Sequence, residues 1–285
     1  MDLIDFILNL AALLLWLNWR SLHFDPLVRS SPATLVGTLR RAEPRRLRGW
    51  QFLVGAGLIV LLRSALYWVI ASPAGWTPKL DLGLVVLAFK NESLSSILLF
   101  STLSLTRLML IFYFWLVVLV MVNRSAGEVD PLQKLLRLHL GKLAHWAWPW
   151  QLLLPLVAAL VLWLAVHPAL VRLELIDQAR SGWRLLAQGA LVALALCFTL
   201  KFLLPVFLLL HLVNSYVYLG ASPLWDFVST TAQNLLWPLR QLPLRLAKLD
   251  LAPLLAVGLI LCLLHWAPRL VVASLARHNL TAWPQ

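Results

Sequence analysis

Apolar runs approaching the thickness of a bilayer's hydrocarbon core recur along the chain, separated by basic stretches punctuated by proline. They run from Leu3 to Trp19, Phe52 to Ala71, Leu103 to Val122, Leu152 to Val166, about Lys201 to Leu219, and Leu251 to Trp266. This pattern predicts an all-α, polytopic helical membrane protein with about six transmembrane helices, paired as three hairpins and carrying amphipathic interfacial helices. Two further apolar segments, Leu80 to Phe89 and Leu185 to Leu200, read as interfacial, re-entrant, or extensions of the spans that follow.

The connecting stretches have their own periodicity. Between Leu132 and Trp146 the polar positions Gln133, Arg137, Gly141 and His145 recur every four residues, with Lys134 and Lys142 beside them. Leu132, Leu135, Leu136, Leu143 and Trp146 are expected on the other side, as in a basic helix lying in the headgroup plane or packed on its own bundle. Leu224, Phe227, Val228, Leu235 and Leu239 form a similar stripe further on.

Landmarks recur three times. Each unit has a span and then an asparagine close to a serine (Asn18 and Ser21, Asn123 and Ser125, Asn214 and Ser215). An Asp-Pro or Ser-Pro turn follows (Asp25-Pro26, Asp130-Pro131, Ser222-Pro223), then a basic segment and a second span. The expected hairpin units are 1–78, 92–170 and 185–285.

In the third unit the basic segment is highly ordered: Pro238-Leu239-Arg240, Pro243, then Leu249-Asp250-Leu251 and Pro253 opening an apolar run. Pro253 suits the first turn of a helix, where its missing N–H is not needed, and Asp250 is placed to cap it. This stretch resembles the signature of the YggT family of integral membrane proteins: Pro-Ile-Arg-Arg-x-x-Pro, a Gly-rich spacer, then Leu-Asp-Leu-Ser-Pro and a helix. Gln241 stands for the second arginine, Ala252 for the serine, and the spacer from Leu244 to Lys248 has no glycine. Arg40 and Arg41, followed by Pro44, look like a second, degenerate copy; the middle unit lacks one. The resemblance implies osmotic or envelope-stress tolerance, association with division-related genes, or assembly of membrane complexes. It also makes Arg40, Arg41, Pro238, Arg240, Pro243, Asp250 and Pro253 candidates for lipid or partner contact.

Composition narrows the partners. At 285 residues, 61% hydrophobic and formally +12, the chain combines a membrane composition with a strong basic excess. The basic residues flank apolar spans, so anionic headgroups are the expected partner and nucleic acid is not. After spans one, three and five lie Arg20, Arg29, Arg40, Arg41, Arg45, Arg46 and Arg48, then Arg124, Lys134, Arg137 and Lys142, then Arg240, Arg245 and Lys248. The opposite side has half as many, from Lys79 to Arg277. The positive-inside rule places these connections in the cytoplasm and both termini outside, in a bacterial inner membrane. Asp2 and Asp5 occupy the place of a signal peptide's basic n-region, so Leu3 to Trp19 reads as a retained span.

Candidate chemistry is sparse. Arg63 sits between the apolar runs Leu58–Leu62 and Ala65–Ile70, where a charge costs about 2.5 to 3.5 kcal/mol. It is either functional or a snorkelling helix-end residue. Arg107 and Lys201 stand at the expected starts of their spans and read as snorkelling. Ser101, Thr102, Ser104 and Thr106 give the polar stripe near span three. Cys197 and Cys262 read as packed thiols, and the histidines show no haem or metal motif despite a chloroplast relative's part in haem attachment. No catalytic motif is present, and Asp250 is a carboxylate without a partner in its stretch. The expectation is a non-enzymatic scaffold or assembly factor without catalytic, metal or cofactor residues, working with a membrane-protein partner or a second copy of itself. A small-ion transporter or channel is the alternative.

Overall fold

The computed structural model describes residues 2–24, 49–74, 77–89, 93–124, 131–179, 181–217, 222–241, 245–246, 249–250 and 252–277. Arg40, Arg41 and Pro243 lie outside them, as do the side chains of Arg240 and Asp250. Nine α-helices are described: α1 (Asp2–Phe24), α2 (Gly49–Ala74), α3 (Leu94–Val122), α4 (Pro131–Leu140), α5 (Trp148–Arg172), α6 (Gly182–Phe198), α7 (Leu200–Tyr216), α8 (Pro223–Leu235) and α9 (Ala252–Arg277). The protein is an all-α, polytopic helical membrane protein: among the described residues six stretches are long and apolar enough to cross a bilayer. They are Leu3–Arg20, Gly49–Ile70, Leu94–Val122, Trp148–Arg172, Gly182–Tyr216 and Ala252–Ala273.

Local chemistry sets most boundaries. Ser181 caps α6, its hydroxyl accepting from the Arg184 N–H at 3.3 Å. Ser222 precedes α8, and Pro223 supplies a pre-set φ in the first turn. α4 stops at Gly141, whose φ of +58° a side chain would strain, and a 3₁₀ turn (Gly141–His145) continues to α5.

The structure decides the extent of two segments. Leu80–Phe89 is not an apolar extension of a span but mostly a short β-hairpin, β1 (Lys79–Asp81) and β2 (Val86–Ala88), turned at Gly83 with φ +91°. Leu185–Leu200 extends the span that follows: it runs through α6 and Thr199, in helical conformation (φ −68°, ψ −17°), to the first residue of α7, making one 35-residue candidate span. These extensions move two charges. α3 begins at Leu94, so Arg107 lies near its middle, and Lys201 lies inside the α6–α7 segment rather than at a span start.

The chain forms two compact units. The first comprises Met1–Leu80 and Ala88–Met109, hence α1, α2 and the first part of α3; the second comprises Asp81–Leu87 and Leu110–Gln285. Within the first, α1 packs along α2. Within the second, α5 packs along α6 and α7 along α9. The close approach of α5 and α6 is made at Gly189, where an added Cβ would meet Leu160 and Trp163 at 3.3 Å. The later part of α3 meets this pair through large side chains, Phe114 and Val118 against Ala159, Ala193 and Leu196.

Candidate functional site

Asp5 and Asn9 are one turn apart on α1, and Arg63 and Tyr67 one turn apart on α2, so each pair shares a helix face. Packing α1 along α2 brings the four together. Arg63 Nη2 lies 2.7 Å from Asp5 Oδ1, and Nη1 donates to Asn9 Oδ1 at 2.8 Å. The Tyr67 hydroxyl donates to the same Asp5 oxygen. Asn9 Nδ2 in turn donates to Ser104 on α3 at 3.0 Å.

Arg63 is only 2% exposed and Asp5 19%, so this is a membrane-depth charge with its counter-ion, and snorkelling does not describe it. Aromatic rings close the remaining faces: the guanidinium carbon is 4.9 Å from the Phe100 ring centre and 5.6 Å from that of Tyr67. Among the described residues Arg63 Nε and Nη2 make no hydrogen bond, so Nη2 is held by its ion pair with Asp5. Of the polar stripe near span three, Ser101 and Ser104 are buried here, Ser101 donating to the Val60 carbonyl at 3.1 Å. Thr102 and Thr106 instead bond back to their own helix, to the carbonyls of Leu98 and Thr102. Lys201, also within a candidate span, is exposed and lies over Phe202 at 5.0 Å.

A second polar cluster, in the second unit, is built around Asn123, one of the repeated landmarks. Its Nδ2 donates to Thr231 Oγ1 at 2.8 Å and to the Leu119 carbonyl at 3.1 Å, while Asn234 donates to its Oδ1 at 3.1 Å. Gln133 donates to its backbone carbonyl. The end of α3 is thereby tied to both amphipathic helices, α4 and α8. Gln133, expected on the polar face of α4, is 1% exposed, whereas Leu135, expected on the apolar face, is 51% exposed. The reversal has a local cause: the carbonyl of Asn123 at the helix end lacks an intrahelical partner and captures the glutamine. Leu136, Leu140 and Leu143 still pack on Leu116, Val117 and Val120 of α3.

The described parts of the signature stretch lie between α8 and α9 in the chain. A 3₁₀ turn (Trp237–Gln241) leads to a two-stranded ribbon, β3 (Arg245–Leu246) and β4 (Leu249–Asp250), in which Arg245 stands opposite Asp250. Asp250 thus lies in a strand two residues ahead of α9. Pro238 is exposed, Pro253 is buried in the first turn of α9, and Leu239 packs with Leu208, Ala232, Leu236, Ala252 and Ala256. Sequence reasoning found Arg63 and Asn123 but missed Asp5, Asn9 and Tyr67 as partners; their i,i+4 pairing was the available signal. Among the described residues no three His, Cys, Asp or Glu come together to hold a metal. Comparison of the chain with protein-family models, curated proteins and solved structures finds no match.

Proposed function

We propose that the protein is a non-enzymatic membrane scaffold, similar in role to the YggT family, that holds a membrane-protein partner or a second copy of itself at the lipid surface. The observation that carries this reading is the state of Arg63. A cation serving ion movement must meet water along its path, whereas Arg63 is covered by Phe100 and Tyr67 and neutralised by Asp5. Its chemistry is that of an interhelical clasp.

The amphipathic helices support the same reading. α4 and α8 are pinned to the end of α3 through Asn123, and α4 with the 3₁₀ turn after it leaves Lys134, Leu135 and Lys142 exposed. Such a basic, partly apolar face suits anionic headgroups and an adjoining protein. The basic connections then face the cytoplasm of a bacterial inner membrane, with both termini outside. The ordered stretch from Pro238 to Pro253 is the resemblance on which the family role rests.

The test pairs capture with transport. The tagged protein, isolated in gentle detergent after cross-linking in its membrane, is expected to bring down a stoichiometric membrane protein or a second copy, lost in an Arg240→Ala, Asp250→Ala variant. In liposomes the purified protein is expected to leave proton, sodium and potassium gradients as long-lived as in empty vesicles. Gradient dissipation that disappears in Arg63→Met would overturn the scaffold reading in favour of transport.

A further inference from the structure

We propose that the turn between α5 and α6 forms a binding site for a phosphate group at the membrane surface. The site is a cavity of about 390 Å³ lined by His167, Arg172, Gln178, Ser181, Gly182 and neighbouring apolar side chains. Three independent features give it anion chemistry.

The first is the start of α6. This helix has 17 residues, and the N–H groups of its opening turn have no intrahelical acceptors. Ser181 satisfies that of Arg184, and Gly182 at the first helical position presents bare backbone, with nothing within 4 Å of where a Cβ would stand. Backbone donors and the positive helix end favour an anion there. The second is Arg172 in the last turn of α5, exposed and on the cavity wall. A guanidinium beside helix N–H groups is a fitting partner for phosphate oxygens. The acids of the same turn, Glu174 and Asp177, do not line the cavity.

The third points to a ligand directly. His167 also lines the cavity and is 6% exposed, yet among the described residues its Nε2 has no hydrogen-bond partner. A buried polar atom left unpaired costs about 1–3 kcal/mol. A turn of the imidazole toward the cavity would let its N–H donate to a ligand oxygen at the inner wall.

Two sources of phosphate reach this depth. The cavity opens where one candidate span ends at Arg172 and the next begins at Gly182, and Trp183 beside it is 70% exposed, as interfacial tryptophans are. A phospholipid headgroup lies at that level; a free phosphate compound reaches it from the water. Both share the recognised group.

The experiment uses the full-length protein, delipidated in non-ionic detergent, with ligand occupancy read by native mass spectrometry. The probes are dioleoyl phosphatidylglycerol, dioleoylglycerol with the same tails but no phosphate, and inorganic phosphate. Phosphatidylglycerol is expected to bind and dioleoylglycerol not. Arg172→Gln should weaken binding about tenfold, the loss of one charge-assisted contact. Gly182→Pro, which removes one N–H at a position where proline fits a helix, should also weaken it. Arg269→Gln, a charge near the end of α9, should leave it unchanged. Displacement of the lipid by inorganic phosphate assigns the site to free phosphate compounds, whereas resistance to it assigns the site to lipid. Equal binding of dioleoylglycerol, or wild-type affinity in folded Arg172→Gln, overturns the proposal.

Discussion

At the scale of single residues, the two clusters show how a bilayer protein treats polar groups. Arg63 and Asp5 are tolerable at membrane depth only together, because removing either leaves a buried charge unmatched. Asp5→Asn and Arg63→Met are each expected to destabilise the folded state by about 3–5 kcal/mol. The double variant Asp5→Leu, Arg63→Met is expected to recover most of that loss. Unfolding in mixed micelles measures the three, and a double variant as unstable as the sum of its parts would refute the clasp. Hydropathy singled out Arg63, but its counter-ion stands 58 positions away in the sequence, beyond the reach of any local pattern. Asn123 repeats the lesson, with partners in Thr231 and Asn234 more than a hundred residues on.

At the scale of elements, helix faces were legible in part: Leu224 and Trp146, expected on the apolar stripes, are exposed. Phe227 and Val228 on α8, Leu136 on α4 and Leu143 in the 3₁₀ turn after it pack as their spacing predicts. The pattern failed at Gln133 and Leu135, where the unpaired carbonyl of Asn123 outweighs the hydrophobic preference of one leucine. It also failed for Arg107 and Lys201, because apolar residues before them extend the helices and erase the span starts at which a snorkelling side chain would sit. The α5–α6 pairing depends on a feature of one residue, the missing Cβ of Gly189. Gly189→Val is expected to force the helices apart and destabilise the fold by about 1–3 kcal/mol. Cross-linking between cysteines placed on α5 and α6 checks this, with reduced yield the expected result.

At the scale of the whole molecule, the six stretches among the described residues that are long and apolar enough to cross a bilayer are expected to return the chain to the side on which it began. The continuous helical passage through Thr199 keeps that number from becoming seven. In a background with Cys197 and Cys262 replaced by alanine, a cysteine at Lys142 is expected to react with an impermeant maleimide only after the membrane is opened. One at Asp81 is expected to react in intact cells. Equal labelling of both before opening would remove the proposed orientation.

The sequence by itself determined that this is a helical membrane protein, roughly where each crossing lies, and which connections are basic. Those properties are sums over neighbouring residues, and a bilayer imposes its demands for length, apolarity and flanking charge segment by segment. Only the tertiary structure decided what Arg63 is paired with, which face of α4 is buried, and that His167, Arg172 and the start of α6 share one cavity. Each of those depends on distant residues becoming neighbours, and the buried polar groups that settle it seek whichever partner packing brings within reach.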